Sequence, residues 1–433
     1  MTDSGTKAGR AGLTRRRFLQ TTAATAGAAA GSGVIGAPMI WAQTTRDITL
    51  NWAGPSYSTI ADIAEQASAD LGFTIVPQVV ESTALMTKIV NQPETIDIPD
   101  LEFWAMQKIW RSGMLQPVEV AKIAMWEQMT PLMKDGKNFD GSDMSRQGTL
   151  PFEVLYVDAP GNEEFAAGAT PFATIMPTIY NADTLGIRPD LIGRQIESWA
   201  ELFNPEFKGK AALVNIPGIG IMDAAMALEA SGEITYGDKG NMTREEIDFT
   251  IDRLIQLKRD GHFRAFWSTF DESVNLMAGG EVVIQSMWSP AVTAVKSRGI
   301  PCVYQGLKEG YRAWGLGMGL MSHLEGPKLE AAYEFLNWYP SGWQGAFIAR
   351  QGYYSSVPET AKANLSPNEV GYWYEGKAAT EDILDPYGAV MDTAGAVRDG
   401  GSFEQRVGNI ACWNTVMDEE RYMVQRWNEF VSS

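Results

Sequence analysis

The chain has 433 residues, with 35 Lys and Arg against 53 Asp and Glu, so its formal net charge at pH 7 is −18. An acidic surface repels nucleic acid and anionic lipid headgroups, and we therefore expect no nucleic-acid partner. Two histidines and two cysteines exclude a cysteine-based zinc site and a network of disulfides, although one bond between Cys302 and Cys412 remains open.

The first 42 residues carry an export pattern. Thr14-Arg15-Arg16-Arg17-Phe18-Leu19 leads into an uncharged stretch, rich in Ala, Gly and Thr, that ends at Ala42. This order predicts a twin-arginine signal peptide over 1–42, and hence export to the periplasm by the twin-arginine machinery. A retained membrane anchor is the alternative, because the uncharged stretch is long enough to span about 30 Å of hydrocarbon as a helix.

The mature chain opens with alternating strand and helix patterns. Apolar residues first alternate, then recur at helical spacing, and the two patterns take turns. This order is typical of a mostly parallel sheet covered by helices. The predicted elements are a strand over 48–52, a helix over 60–71, a strand over 73–80, a helix over 84–90, a strand over 97–101 and a helix over 104–110.

The second half of the chain repeats these signals less regularly. Buried strands are predicted over 211–215 and 282–287. Between them, Thr243-Arg-Glu-Glu246 forms a capping box that begins an amphipathic helix, and Gly261 ends it. Two further amphipathic helices are predicted over 329–338 and 413–430, the second of which closes the fold.

The sequence lacks the common catalytic motifs. It contains neither HExxH nor GxSxG, and its histidines are His262 and His323. Nucleophilic and metal catalysis therefore lack their usual residues, and we predict a protein with no cofactor, no metal and no enzymatic activity. A periplasmic carboxylate-dependent enzyme is the alternative class, because two acids far apart in sequence can meet in the fold.

One segment carries a specific resemblance. The run Ile196-Glu-Ser198-Trp199-Ala-Glu-Leu202-Phe-Asn-Pro205-Glu206-Phe207-Lys208-Gly209-Lys210 resembles a signature of family 1 extracellular solute-binding proteins, especially their spermidine/putrescine-binding group. Further segments match in the same order over almost the whole mature chain. They are Asn51-Trp52, the segment 97–104, Pro177-Thr-Ile-Tyr180-Asn181, the segment 277–288, and Gln351-Gly352-Tyr353-Tyr354-Ser355-Ser356-Val357-Pro358.

The resemblance implies an α/β, two-lobed periplasmic binding protein of type II-like architecture, with a hinge that the chain crosses more than once. Lobe one is expected over 43–173 and 289–319, and lobe two over 174–288 and 320–433. The implied function is that of the substrate-binding subunit of an ABC importer, which captures a polyamine or other amine-containing solute between its lobes. The implied partners are this small-molecule ligand and an inner-membrane ABC permease.

In the polyamine binders that the chain resembles, aromatic faces hold the methylene chain of the ligand and carboxylates hold its ammonium groups. Carried over position by position, this pattern indicates cleft residues near the ends of predicted strands. Core packing is the competing interpretation for each tryptophan, because tryptophan is highly buried on average. The residues indicated are Trp52, Glu102, Trp104, Trp267, Trp288, Trp314, Gln351 and Tyr354.

The chain departs from the polyamine pattern after the strand over 211–215. Polyamine binders carry acidic residues at this point, whereas this chain has a loop from Asn215 to Gly220 that leads into a helix. The N–H groups at a helix start favour an anion, so Asn215 and Gly220 indicate a second hypothesis. The chain is then a receptor for a zwitterion or small carboxylate, with Glu102 or Asp271 meeting any amine.

Overall fold

The computed structural model describes residues 46–433, and the predicted signal peptide over 1–42 lies outside them. Among the helices of these residues, none is long and apolar enough to cross a membrane. The strands range from 2 residues in β4 (Leu115–Gln116) to 12 in β8 (Met176–Ile187). The other strands are β1 (Thr49–Gly54), β2 (Thr74–Val79), β3 (Ile98–Glu102), β5 (Val118–Glu119), β6 (Tyr156–Val157), β7 (Phe172–Ala173), β9 (Ala211–Val214), β10 (Phe263–Trp267), β11 (Ile284–Met287), β12 (Val303–Tyr304), β13 (Tyr311–Met318), β14 (Leu320–Met321), β15 (Tyr354–Ser355), β16 (Ile383–Leu384), β17 (Val390–Asp392) and β18 (Ile410–Trp413).

The α-helices cover the sheet and fill the connections. Most of them carry a proline in the first turn or follow a capping side chain, both of which suit the start of a helix. They are α1 (Ala61–Leu71), α2 (Ser82–Asn91), α3 (Met106–Ile109), α4 (Pro131–Lys134), α5 (Pro189–Ile192), α6 (Pro217–Ala230), α7 (Arg244–Arg259), α8 (Phe270–Ala278), α9 (Ser289–Lys296), α10 (Gly326–Trp338), α11 (Trp343–Ala349), α12 (Pro358–Ala363), α13 (Pro367–Trp373), α14 (Phe403–Val407) and α15 (Glu420–Ser432).

One large sheet runs through the described chain in the order β10-β9-β11-β8-β13-β3-β1-β2. At one end β1 pairs in parallel with β2 and β3, and at the other end β9 pairs in parallel with β10 and β11. Parallel strands followed by helices bury both faces of a sheet. The sheet thus has two parallel halves, which we call the β1–β3 half and the β9–β11 half.

The long antiparallel strands β8 and β13 join these two halves. β8 pairs with β13 from Met176 to Asp183, and then with β11 from Thr184 to Ile187. β13 in turn pairs with β3 through its last three residues. The ladder between β8 and β13 is irregular between Gly315 and Gly317. Together the two strands therefore connect the β9–β11 half, through β8, to the β1–β3 half, through β13.

The predicted opening of the chain is confirmed. Strand, helix, strand, helix and strand follow one another as β1, α1, β2, α2 and β3. Gly72 ends α1 in the left-handed conformation with φ of 72°, which a glycine adopts without strain. The predicted capping box at the start of α7 is also present, with Thr243 and Glu246 each bonded to the other's backbone N–H.

Two predicted helices are wrong in part. The predicted helix over 104–110 is a short α-helix, α3, between two 3₁₀ turns. The predicted helix over 413–430 begins only at Glu420, because the preceding segment forms β18 and pairs in parallel with β13. The free backbone edge of β13 supplies hydrogen-bond partners that outweigh the local helical pattern.

Two helices show how the connections pack on the sheet. α9 packs in one buried cluster with Val214 and Trp267 of the β9–β11 half. Phe335 of α10 packs edge-on against Trp52 of β1, with ring centroids 5.5 Å apart. Glu334 of α10 also accepts a hydrogen bond from Arg46. Each helix thus packs on a half of the sheet whose strands are nearby in space, as is usual for short connections.

The two cysteines lie in separate buried clusters and are free thiols. Burial raises the pKa of Cys302 and the pKa of Cys412 to about 12. Both thiols are therefore protonated at neutral pH, and the open question of a disulfide between them is answered in the negative.

Candidate functional site

Side chains from both halves of the sheet meet where the parallel strands end. Glu102 is the last residue of β3, and Tyr57 lies in the turn after β1. Trp267 is the last residue of β10, and Asn215 and Trp288 directly follow β9 and β11. Ligands of open parallel sheets bind beyond the carboxyl ends of the strands, so this region is the candidate site.

Five rings form what we call the aromatic cluster: Tyr57, Trp267, Trp288, Trp314 and Tyr353. The Tyr57 centroid lies 5.0 Å from that of Trp314 and 6.3 Å from that of Trp288. Trp314 contacts Tyr353 at 5.1 Å, and Trp267 contacts Trp288 at 4.9 Å, both edge-on. Tyr57 and Trp288 are half-buried, so the cluster keeps aromatic surface open to a solute.

Glu102 is held by four donors, one of which is Ser82 Oγ at 3.4 Å. Its carboxylate accepts hydrogen bonds from Trp104 Nε1 at 2.8 Å, from Tyr57 Oη at 3.1 Å and from Asn414 Nδ2 at 3.0 Å. The side chain is 5% exposed. These bonds fix the carboxylate against the edge of the aromatic cluster.

Arg312 of β13 lies between two buried aspartates. Its Nε donates to Asp223 Oδ1 at 2.7 Å, its Nη2 lies 3.5 Å from Asp183 Oδ2, and its Nη1 donates to Asn414 Oδ1 at 2.8 Å. Asn414 therefore connects Arg312 to Glu102. We call Glu102, Asn414, Arg312, Asp183 and Asp223 the polar network.

The polar network joins the aromatic cluster at Asp183. This aspartate accepts from Trp314 Nε1 at 2.9 Å and from Tyr304 Oη at 2.8 Å. Two acceptor atoms beside it have no partner among the described residues, namely Asp223 Oδ2 and Asn181 Oδ1. A buried acceptor without a donor is costly, so these atoms add to the free-energy cost of burying the network.

Burial sets the protonation of the polar network. It raises the pKa of Asp183 to about 6, although Arg312 and the bonds from Tyr304 and Trp314 oppose the rise. Burial likewise raises the pKa of Asp223, and Arg312 again opposes it. The network thus sets three carboxyl groups against one guanidinium, and burial favours the uncharged form of its two aspartates.

Residues 60–370 match the family model of the bacterial extracellular solute-binding proteins. The chain belongs to this family. Membership confirms the solute-binding resemblance and the prediction that the chain is a binding protein rather than an enzyme.

Curated relatives of the solute-binding protein include the spermidine/putrescine-binding periplasmic proteins of Escherichia coli and Salmonella typhimurium. Each is 23% identical over 256 residues, which are 58% of this chain and 62% of the relative. The match thus spans less than two thirds of the length of these relatives.

Solved structures share the fold at low identity. A putative spermidine/putrescine ABC transporter protein from Listeria monocytogenes has a TM-score of 0.61 at 16% identity, and covers 88% of this chain and 98% of its own. The protein MotA of A. tumefaciens B6, in complex with glucopine, has a TM-score of 0.53 at 14% identity over 89% and 99%. These neighbours confirm the predicted two-lobed α/β fold.

The solute-binding protein brings together five of the predicted site residues. Glu102 and Trp104 are hydrogen-bonded to each other, and Trp267 packs against Trp288. Tyr57 connects Trp288 to Trp314. These five positions remain predictions for ligand contact, and their proximity supports them.

Three predicted residues lie apart from the aromatic cluster. Trp52 has no exposed surface and packs between Phe335 and Tyr339. Tyr354 is buried against Tyr180 and Phe403 on the far side of β15, whereas its neighbour Tyr353 enters the cluster. Gln351 is half-buried, and its backbone O accepts from Thr293 at 3.4 Å.

The sequence indicated an anion site at the start of α6. Two N–H groups there are already used within the helix itself. The N–H groups of Ile219 and Gly220 both donate to the backbone O of Ile216, at 2.9 and 2.7 Å. A Cβ at Gly220 would lie 2.3 Å from the indole of Trp427, which explains the glycine by close packing. Asn215 Oδ1 accepts from Trp427 Nε1 at 2.8 Å. Asp271 lies exposed in the first turn of α8.

Sequence reasoning missed six residues of the site. Asp183 lies in β8 and Arg312 in β13, and no sequence motif shows that these two residues form an ion pair. A charged residue inside a run of apolar strand residues is the signal that could have found them, because buried charges are paired. The others are Tyr57, Asp223, Tyr353 and Asn414.

Proposed function

We propose that this solute-binding protein is the substrate-binding subunit of an ABC importer, and that its solute carries a protonated amine. The observation that carries this proposal is the position of the polar network, with three carboxyl groups and one guanidinium, beside the aromatic cluster. An ammonium over an aromatic face contributes about 0.5 to 2 kcal/mol, and more when water is excluded. The curated relatives are spermidine/putrescine-binding proteins by name, which agrees with such a ligand.

The site draws on both halves of the sheet, which supports a receptor that closes on its solute. Tyr57 and Glu102 belong to the β1–β3 half, and Trp267 and Trp288 belong to the β9–β11 half. A solute that contacts both sets at once stabilises the closed form over the open one. We propose that the β1–β3 half with α10 forms lobe one, and that the β9–β11 half with α9 forms lobe two.

The closed form would then dock on an inner-membrane permease. The fold by itself does not determine the solute, since structures with this fold include a GABA receptor and a protein in complex with glucopine. A zwitterion is therefore the second candidate, with its amine at the polar network. The helix start at α6 gives its carboxylate no free N–H from Ile219 or Gly220.

A thermal-shift series tests the charge of the solute. Spermidine, putrescine, GABA, glycine betaine and succinate would each be added to the purified mature protein. We expect an amine to raise the melting temperature, because a ligand at about 100 times its Kd stabilises the native state by about 2.7 kcal/mol. Calorimetric titration of the same compounds gives the affinity. Stabilisation by succinate alone would contradict the proposal, and turnover of any compound would contradict a pure binding role.

We also propose that the precursor is exported to the periplasm through the twin-arginine route. Replacing Arg15 and Arg16 together by Lys should leave the precursor in the cytoplasm, because the route requires the paired guanidinium groups. Fractionation followed by immunoblotting measures the distribution. Arg10→Lys, outside the motif, is the matched control and should export normally. Periplasmic mature protein from the double variant would refute this route.

A further inference from the structure

A small cavity lies behind the aromatic cluster, between α9 and the segments around α13 and α14. Its volume is about 20 Å³, and its lining includes Ser289, Lys296, Trp373, Arg398 and Arg406. A cavity of about 10 to 15 Å³ is enough for one water-sized particle. We propose that this cavity binds a small monovalent anion of the halide class, such as chloride.

The charges around the cavity do not balance. Lys296 Nζ lies 3.0 Å from Asp392 Oδ2 and 2.9 Å from Asp399 Oδ2. Arg398 and Arg406 are 6% and 0% exposed, and neither forms an ion pair with a carboxylate within residues 46–433. Three cations thus face two carboxylates, and burial makes the remaining positive charge unfavourable without a counter-ion.

Backbone oxygens and aromatic faces hold the two arginines in place without neutralising them. Arg398 donates to the backbone O of Trp373 and, at 3.1 Å, to that of Gly352. Arg406 donates to the backbone O of Asp399 at 3.2 Å and to that of Ala182 at 3.0 Å. Each guanidinium also lies over aromatic rings, at distances of 4.8 to 5.2 Å from their centroids. These contacts fix the two guanidinium groups in position, and Arg406 Nε remains a donor without an acceptor among the described residues.

Two buried donors that line the cavity have no acceptor. They are Arg406 Nε and Trp373 Nε1. Among the described residues of the lining, no buried acceptor is unpartnered. A halide accepts hydrogen bonds and donates none, so it satisfies both donors and the charge together. A water molecule could also satisfy the donors, with Asp399 and the hydroxyl groups of the lining accepting its hydrogens, but it would leave the positive charge without a counter-ion.

The cavity is connected to the aromatic cluster through Gly352, whose backbone O accepts from both Arg398 and Ser289. Ser289 follows Trp288, and its Oγ donates to the backbone O of Gly352 at 3.3 Å, directly before Tyr353. Gly352 has φ of 88°, and a Cβ there would lie 2.0 Å from Ser289 Oγ. An anion in the cavity would thus fix the two segments that carry Trp288 and Tyr353. This inference does not depend on which solute the protein binds.

Thermal unfolding in different salts tests the proposal. At constant ionic strength, replacing gluconate by chloride from about 5 to about 200 mM should raise the melting temperature by about 2 °C or more. Trp373→Phe removes one unpartnered donor and keeps a ring over Arg398, so its response to chloride should be lost. Trp338→Phe, whose indole donates to Asp70 instead, is the control and should respond like the original protein.

Diffraction from crystals soaked in bromide locates the ion directly. An anomalous peak in the cavity, absent from Trp373→Phe crystals, is the expected result. Equal melting temperatures in gluconate and chloride, with no peak in the cavity, would overturn the proposal and leave water as the occupant. A chloride response that persists unchanged in Trp373→Phe would overturn it as well, because the ion would then bind elsewhere.

Discussion

Replacing Arg312 by Met is expected to lower the free energy of unfolding by about 3 to 5 kcal/mol, because it leaves two buried carboxylates without their cation. Asp183 and Asp223 are at most 2% exposed, and Arg312 is the cation that both of them contact. Urea unfolding followed by tryptophan fluorescence measures the change. Arg194→Met is the matched control, since that guanidinium pairs with Glu201 and Glu206 on the surface. Its loss should cost about 0 to 1 kcal/mol.

The pH dependence of this variant separates charge from packing. In Arg312→Met the folded-state pKa values of Asp183 and Asp223 should rise further above the unfolded value than burial already takes them. A carboxyl group with a raised folded-state pKa lowers stability as pH rises through that pKa, so the loss should be smaller at about pH 5 than at about pH 8. Neutralising both aspartates by Asn in the same variant should recover part of the loss. A loss independent of pH and unrelieved by Asn would indicate packing instead.

Replacing Trp288 by Ala is expected to weaken binding of the stabilising amine by about 5- to 30-fold, which corresponds to about 1 to 2 kcal/mol. The indole is half-buried and contacts both Trp267 and Tyr57, so it forms part of the open surface of the aromatic cluster. Calorimetric titration measures the affinity. Trp288→Phe retains an aromatic face and should lose less.

Trp52→Ala tests whether the loss of affinity is specific to residues of the aromatic cluster. This indole is fully buried against Phe335 and Tyr339, and its truncation should cost about 3 to 5 kcal/mol of stability. The folded fraction should keep its affinity. If Trp52→Ala weakened binding as strongly as Trp288→Ala at equal folded fraction, the proposed limits of the site would be incorrect.

The local patterns of the sequence correctly predicted the strands at whose ends the candidate site lies. Apolar periodicity located β1, β3 and β11, and with them the strand ends at Glu102 and Trp288. Trp52 was expected at such an end, but β1 continues to Gly54 and turns this side chain into the interior. The strand therefore ends two residues later than predicted, and the turn that follows it brings a different aromatic residue to the site. That residue is Tyr57.

The polar network could not be predicted from local patterns. Asp183 and Arg312 lie on β8 and β13, and Asn414 follows β18, so the pairing of these strands brings the three together. The packing of α6 against β13 adds Asp223. Such contacts depend on the register of distant strands, which periodicity does not determine. The closing segment shows the same effect, because β18 forms only where β13 offers a free edge.

The pairing of β8 with β13 also governs how the lobes can move. If they rock as proposed, the lobes move about a pair of hydrogen-bonded strands rather than about a single flexible segment. The irregularity between Gly315 and Gly317 is the point at which this ladder is locally disrupted. We therefore expect a change of strand twist on closure to be concentrated there.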